Sequence, residues 1–457
     1  MNGQEEKKRQ LVADGLKSIW FPFTQMQEFT PDDVLIIAEG KGVFLRDVDG
    51  RDYIDGVSSL WTNVHGHRKE QIDRAIREQL NRVAHSTLLG LAHEPAIVCA
   101  RKLLEIVPKG LTRVFYSESG STAVEIALKM AFQYQQQAAG GDPRKIRFMS
   151  LTNAYHGDTL GSVSAGGIDL FHATYRELLF PTVKAAAPYC YRCPFGASYP
   201  GCRFDCLSQL ENLLAAHAHE LAALIIEPLV QGAAGILVQP PGYLKRVREL
   251  CTRYGVLMIA DEVAVGFGKT GRMFACEHED VAPDILALGK GLSGGYLPLA
   301  ATVATEEIYK GFLARFDEFK TFFHGHTYTG NPVACAVAIE NLALFEKERT
   351  IERMADKIAL LREELKRFAD LPAVGEVRQR GFMVGIELVK SRKTRRPYPP
   401  AAKVGQNVTV AARKRGAIIR PLSDVIVLMP PPGIDVGTLK ELVDVTYDSI
   451  KEVTGAP

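Results

Sequence analysis

Three apolar runs in this chain end on charged side chains that could carry out carbonyl chemistry together. Lys290 is a lone lysine where Asp284-Ile285-Leu286-Ala287-Leu288-Gly289 gives way to Gly291. Upstream, Val256-Leu257-Met258-Ile259-Ala260 runs into Asp261-Glu262, and Ala222-Ala223-Leu224-Ile225-Ile226 runs into Glu227-Pro228. Glu227, Asp261 and Lys290 are 34 and 29 residues apart. That spacing fits successive strand–helix units of a parallel sheet, whose strand ends converge on a ligand crevice. A lysine and two carboxylates gathered there suit pyridoxal phosphate, which needs a Schiff-base lysine and an acid facing its pyridine nitrogen.

A phosphate cradle is also present. The strand-like Arg113-Val114-Phe115-Tyr116 leads into Ser117-Glu118-Ser119-Gly120-Ser121-Thr122 and then a helical pattern with apolar Val124, Ala127, Leu128 and Ala131. Free N–H groups at a helix N-terminus bind phosphate, and Gly120 permits close backbone approach while Ser121 and Thr122 offer hydroxyls. The same residues would equally make a well-capped helix. Asn153-Ala154-Tyr155-His156-Gly157-Asp158 follows another strand, so that Tyr155 could lie on a flat ring with His156 and Asp158 as polar neighbours; a plain turn held by Asn153 and Gly157 is the simpler reading. Asp261, at the edge of a buried strand, needs a partner to stay ionised, and a pyridinium N–H would serve.

Two nucleotide motifs fail on context. Gly266-Phe267-Gly268-Lys269-Thr270-Gly271 matches G-x-G-x-x-G, but Pro283 follows and no amphipathic helix intervenes. Gly268-Lys269-Thr270 resembles the end of a P-loop, yet the position of its first glycine is Val263, and the carboxylates Asp261-Glu262 precede the lysine.

The elements that must hold these residues follow from pattern. Strands are expected at 113–116, 146–150, 222–226, 256–260 and 284–288, and helices at 94–107, 121–137, 208–218 and 242–254, which is the alternation of an α/β layer fold. A hairpin is expected from Val43–Arg46 to Asp52–Ile54 around Asp49-Gly50. The chain divides into an entry arm (1–66), a large α/β block (67–335) and a smaller α+β block (336–457), the last with a long helical stretch and strands at 381–388 and 425–429. At 457 residues it is long enough for two or three domains, and with 24% charged and 46% hydrophobic residues it is of the ordinary globular class. A net charge of +2 argues against a nucleic-acid partner, and no apolar run approaches the roughly 20 residues of a membrane span. The N-terminus lacks the apolar core of a signal peptide, so a cytoplasmic location is expected. Four cysteines are scattered, at 99, 251, 276 and 335; Cys190, Cys193, Cys202 and Cys206 cluster, and read either as a structural metal site or as free thiols in a surface loop.

With these residues in view, Leu257 to Leu299 resembles the signature of the class III, fold-type I pyridoxal-phosphate-dependent aminotransferases. The resemblance extends over nearly the whole chain, through Ile19-Trp20-Phe21-Pro22-Phe23-Thr24, Ser58-Ser59-Leu60-Trp61, Ala154-Tyr155-His156-Gly157-Asp158-Thr159, His324-Gly325-His326-Thr327 and Ile419-Arg420-Pro421-Leu422. It implies a mostly parallel central sheet with helices on both faces and a smaller α+β domain. It also implies a homodimer with active sites formed between subunits. Lys290 would form the Schiff base and carry the proton, Asp261 would face the pyridine nitrogen, and Tyr155 and Val263 would lie on the two ring faces, with His156 and Glu227 beside the cofactor. Gly120 and Ser121 would hold the phosphate, joined by Thr327 of the partner subunit. Within the family, the likeness is nearest to the branch that aminates the keto acid 8-amino-7-oxononanoate. Arg420 would then receive the keto acid's carboxylate, and Gly325, Phe23, Leu60, Trp61 and Tyr155 would line the substrate pocket. Phe23 and Leu60 stand where the S-adenosylmethionine-using enzymes have tyrosine and tryptophan, so the resemblance points to L-lysine as amine donor. Phe322-Phe323-His324-Gly325-His326 points the same way. A broader ω-amine or diamine transaminase, and a nucleotide-binding ATPase, remain as alternatives.

Overall fold

The computed structural model describes residues 3–455. Seven strands make its central sheet: β1 (Leu111–Ser117), β2 (Arg147–Leu151), β3 (Thr182–Ala185), β4 (Leu221–Ile226), β5 (Leu257–Asp261), β6 (Ile285–Leu288) and β7 (Ala300–Thr305). Their order is β1-β7-β6-β5-β4-β2-β3. β2 to β6 pair in parallel, whereas β7 runs antiparallel to both β1 and β6.

Every residue of β4 and β6 is buried, as befits strands covered on both faces. The period of two sorts their side chains. Ile225, Ile259, Ile285 and Ala287 pack with Ala123, Val124 and Ala127 of helix α2. Leu224, Ile226, Met258, Ala260, Leu286 and Leu288 turn the other way, toward Cys99 and Leu103 of α1 and Leu244 and Val247 of α3. Here α1 is Glu94–Ile106, α2 is Gly120–Gln137 and α3 is Tyr243–Arg253. Helices therefore cover both faces.

The parallel reading of β5 and β6 holds, but no helix joins them: only a short 3₁₀ turn, Ala275–Glu279, lies between. The antiparallel direction of β7, a strand that the sequence pattern does not predict, leaves the sheet mostly parallel as the resemblance implied. Its physical reason is the length of the link, residues 289–299, which is too short for the crossover that a parallel strand needs. Gly294 and Gly295, at φ +60° and +86°, reverse the chain there, and Leu288 pairs with Ala301.

The smaller domain has an antiparallel sheet of β8 (Val374–Arg380), β9 (Met383–Leu388), β10 (Arg420–Leu422) and β11 (Val425–Leu428), in the order β8-β9-β11-β10. Residues of the helices Thr350–Leu365, Val404–Lys414 and Val436–Thr454 share its core. The hairpin around Asp49-Gly50 forms between Phe44–Asp47 and Asp52–Asp55; Ile37–Lys41 extends it, and Ala417-Ile418 pairs with it in parallel. Among the described residues, no helix is long and apolar enough to cross a membrane.

Candidate active site

The carboxyl ends of the central strands open on a cavity of about 140 Å³, lined by Trp61, Gly120, Ser121, Tyr155, His156, Gly157, Glu227, Ala233, Asp261, Val263, Ala264 and Lys290. Strand topology brings them together. Glu227 follows β4, Asp261 ends β5, and Lys290 follows β6 on a 3₁₀ turn with φ +41°.

The Lys290 amine lies deep in the cavity, 5.1 Å from the centroid of the Trp61 ring. Desolvation lowers its pKa below the usual lysine value; Asp261 and Glu227 oppose this and Arg420 reinforces it. A lysine so placed more readily gives up its charge and acts as a base. Asp261 is fixed at both oxygens: Oδ1 accepts from Val263 N at 3.1 Å, and Oδ2 lies 2.8 Å from His156 Nδ1. Glu227 accepts from the backbone N–H groups of Tyr155 (3.1 Å) and Gly232 (2.9 Å). Burial, then the nearby Asp261 charge, push its pKa up to about 8 against those two donors and Lys290. The Tyr155 hydroxyl donates to Asp158 at 2.7 Å, and burial together with that bond raises its pKa well above a free tyrosine's.

At the opposite end, Ser119 caps α2: its side-chain oxygen accepts from Thr122 N and its carbonyl from Ala123 N. The N–H groups of Gly120 and Ser121 precede the first helical bond, and both residues line the cavity. A Cβ on Gly120 would come within 2.3 Å of Val263 Cγ1, and one on Gly157 (φ +124°) within 2.1 Å of Ser121 Oγ. Glycine is therefore required at both positions. Ser121 Oγ accepts from Asp158 N at 3.2 Å, which leaves its own proton to donate. Thr122 was expected to offer a hydroxyl too; instead its hydroxyl turns back to Ser119 O at 2.8 Å.

These groups fit pyridoxal phosphate. The cavity has a helix N-terminus for a phosphate, Tyr155 and Val263 for a ring, Asp261 for a pyridine nitrogen and the Lys290 amine for an aldehyde. His156 Nε2 and Trp61 Nε1 are buried with no hydrogen-bond partner among the described residues.

Other expected site residues lie further out. Arg420 opens β10, half-buried, with its Nε unpartnered among the described residues. Burial lowers its pKa and the nearby Tyr155 opposes that. Phe23 is exposed and meets Phe171 edge-on at 5.4 Å, and Phe171 meets Tyr155 at 6.3 Å. Leu60 is half exposed, next to Trp61 in the chain, and is not among the cavity's lining residues. Gly325 and Thr327 are not in this cavity: within one chain they line a separate groove of about 1070 Å³ with Phe115, Tyr116 and Phe322. Cys190, Cys193, Cys202 and Cys206 are free thiols around a cavity of about 20 Å³. Among the described residues, no three His, Cys, Asp or Glu are arranged to hold a metal ion.

Sequence reasoning missed Phe171, Ala233 and Ala264, none of which sits in a chemically distinctive pattern. It also missed the backbone that presents Trp61. Ser58, Ser59, Leu60 and Trp61 are four consecutive left-handed residues, at φ +50°, +48°, +75° and +69°. Each costs of order 1–2 kcal/mol without glycine, and such strain gathers where a site is pre-organised. Lys269 of the failed P-loop motif is buried away from the cavity, bonded to Ser58 and Asn63.

This fold and this cavity define an aminotransferase of class III. The family model for aminotransferase class-III matches residues 27–451, and the chain belongs to that family as a pyridoxal-phosphate-dependent transaminase. It is 58% identical over 436 residues to the adenosylmethionine-8-amino-7-oxononanoate aminotransferase of Nitratidesulfovibrio vulgaris, covering 95% of this chain and 80% of the relative. The crystal structure of adenosylmethionine-8-amino-7-oxononanoate aminotransferase from Methanocaldococcus jannaschii aligns with a TM-score of 0.93 at 45% identity, over 97% of this chain and 99% of that one. An amine transaminase from an uncultivated Pseudomonas species, solved in its PLP-bound form, aligns with a TM-score of 0.90 at 37% identity, over 95% and 98% of the two chains.

Proposed function

We propose that this transaminase moves an amino group from L-lysine to 8-amino-7-oxononanoate, giving 7,8-diaminononanoate for biotin synthesis. The acceptor reading rests on Arg420, a half-buried guanidinium close to Tyr155 and electrostatically felt by Lys290. A carboxylate at the far end of a keto acid suits that charge. The relatives' names agree on the acceptor.

Those names give adenosylmethionine as donor; the pocket wall argues for lysine. Phe23 lacks a hydroxyl and Leu60 lacks an indole, so compared with tyrosine and tryptophan at these positions one polar and one flat contact that a bulky sulfonium nucleoside would use are lost. The observation that carries the donor reading is that pair of residues, Phe23 against Phe171 and Leu60 next to Trp61 in the chain.

Bound pyridoxal phosphate supplies the electron sink for the carbanion that forms at the donor carbon. The chain supplies the rest. The Lys290 amine would take the proton from the donor carbon and pass it to the cofactor within the same half-reaction, and in the second half it would move a proton the opposite way, onto the acceptor carbon. Asp261 keeps a positive charge opposite it, and His156 holds Asp261 in place. Arg420 orients the keto acid by its carboxylate. Both substrates share one cavity, so ping-pong kinetics follow. In a homodimer the segment of this groove that carries Gly325 would reach toward the second copy, and Thr327 of the partner subunit would join Gly120 and Ser121 in the cavity described above.

Arg420→Ala is expected to raise KM for the keto acid about 10–100-fold, the worth of one charge-assisted hydrogen bond, while KM for the donor stays within about two-fold. Steady-state kinetics with each substrate varied in turn makes the check. An equal rise for both substrates would make Arg420 structural. No rise for either would favour a broad ω-amine transaminase with carboxylate-free acceptors.

A further inference from the structure

Lys269 belongs to a glycine-rich loop that sequence alone left without a purpose, and it is 1% exposed. A lysine is almost never buried so fully unless paired. Its amine donates to Ser58 Oγ at 2.8 Å and to the carbonyl of Asn63 at 2.9 Å. Ser58 Oγ in turn donates to Met429 O at 2.6 Å, just past β11. The carbonyl of Lys269 accepts from Phe382 N at 2.9 Å, at the turn between β8 and β9. One residue thus joins three stretches: the large domain's loop, the left-handed segment 58–61 and the small domain's sheet.

We propose that Lys269 is a positioning residue for the transamination, its buried amine pinning Ser58 and Asn63 so that the strained segment between them holds Trp61 and Leu60 in the substrate wall. The segment needs such a restraint. Four left-handed non-glycine residues in a row persist only where their surroundings over-determine them. On the other side, Asp55 accepts from Ser59 N (2.8 Å) and Ser59 Oγ (2.7 Å). Lys269 and Asp55 therefore hold the segment's first two residues, and Lys269 also holds Asn63, two residues past its end. Burial pushes the Lys269 amine down to about 7, against the raising influence of Asp55. Two of its N–H donors find acceptors, Ser58 Oγ and the carbonyl of Asn63. The consequence for Trp61 is direct, because its ring faces the Lys290 amine. This inference rests on Lys290 being the reacting lysine.

The test uses the holoenzyme with Trp20→Phe. The chain has two tryptophans, and Trp20 is 88% exposed, so this background leaves Trp61 as the emitter. Lys269→Met, which keeps the stem and removes both donors, is expected to move Trp61 emission to longer wavelength. It should raise KM for the amine donor about ten-fold, with kcat within about three-fold. Lys269→Arg, which restores donors, should recover most of both changes. Ser58→Ala, a milder cut at the same contact, should shift both readouts in the same direction by less. Unchanged emission and KM in folded Lys269→Met overturn the proposal, as does a fall in kcat alone with KM and emission unmoved. If Lys269→Met does not fold, unchanged emission and KM in Ser58→Ala overturn it. The emission readout needs no turnover, so it separates a failed clamp from a failed assignment of Lys290.

Discussion

Lys290→Ala is expected to lower turnover by at least about 10⁴-fold while leaving the protein folded and able to hold pyridoxal phosphate. A positioned acid–base group is worth roughly 10²–10⁴ in rate, and loss of the covalent nucleophile adds to that. In this cavity no other amine can stand in, since Lys290 is the one lysine among its lining residues. Alanine removes a side chain that lines the cavity and is not part of the apolar core, so packing around β6 is spared. Product formation at saturating substrates measures the effect. Borohydride reduction followed by peptide mapping adds a second readout, with label expected on Lys290 in the wild type and none in the variant. Turnover within ten-fold of wild type would move the reacting amine elsewhere.

Asp261→Asn is the second large effect. Asparagine keeps one oxygen for Val263 N and can offer its amide to His156 Nδ1, so the two hydrogen bonds at this position survive in altered form. The charge does not survive. A preorganised group that stabilises charge only as it develops is worth roughly 10²–10³ in rate. The prediction is therefore a fall of about that size in kcat and kcat/KM together, with KM little changed. A single-turnover measurement with deuterium on the donor carbon should show proton abstraction becoming the slow step. A near-wild-type rate would assign the pyridine nitrogen to another partner.

Both effects fall on residues that can be found without a structure. β4, β5 and β6 are buried on both faces, so they appear as unbroken apolar runs, and the first charged residue after each run marks a strand end. That is why Glu227, Asp261 and Lys290 converge as expected. The Gly120-Ser121 cradle is legible only as one of two readings, since a well-capped helix start calls for the same residue types. What the sequence hides has equally definite causes. The pattern does not predict β7 as a strand, and its direction follows from the shortness of the link before it. Phe171 lies on the four-residue helix Asp169–His172, too short to show a period. Nothing in Ser58-Ser59-Leu60-Trp61 announces a left-handed backbone, because one of the contacts that hold it comes from Lys269, about two hundred residues along the chain, and only Asp55 is local. The Gly266–Gly271 loop looked like a nucleotide motif and proved to be the carrier of that buried lysine. Gly325 and Thr327 sit beside aromatic residues in the sequence, yet folding carries them to a groove apart from Lys290.

The most direct measurement is the visible spectrum of the purified holoenzyme mixed with L-lysine alone and, separately, with S-adenosylmethionine alone. The prediction is that the yellow band of the bound cofactor bleaches with L-lysine only, and returns when 8-amino-7-oxononanoate is added. Bleaching by S-adenosylmethionine only would contradict the reading of Phe23 and Leu60. A yellow protein that neither amine bleaches would contradict the proposed reaction itself.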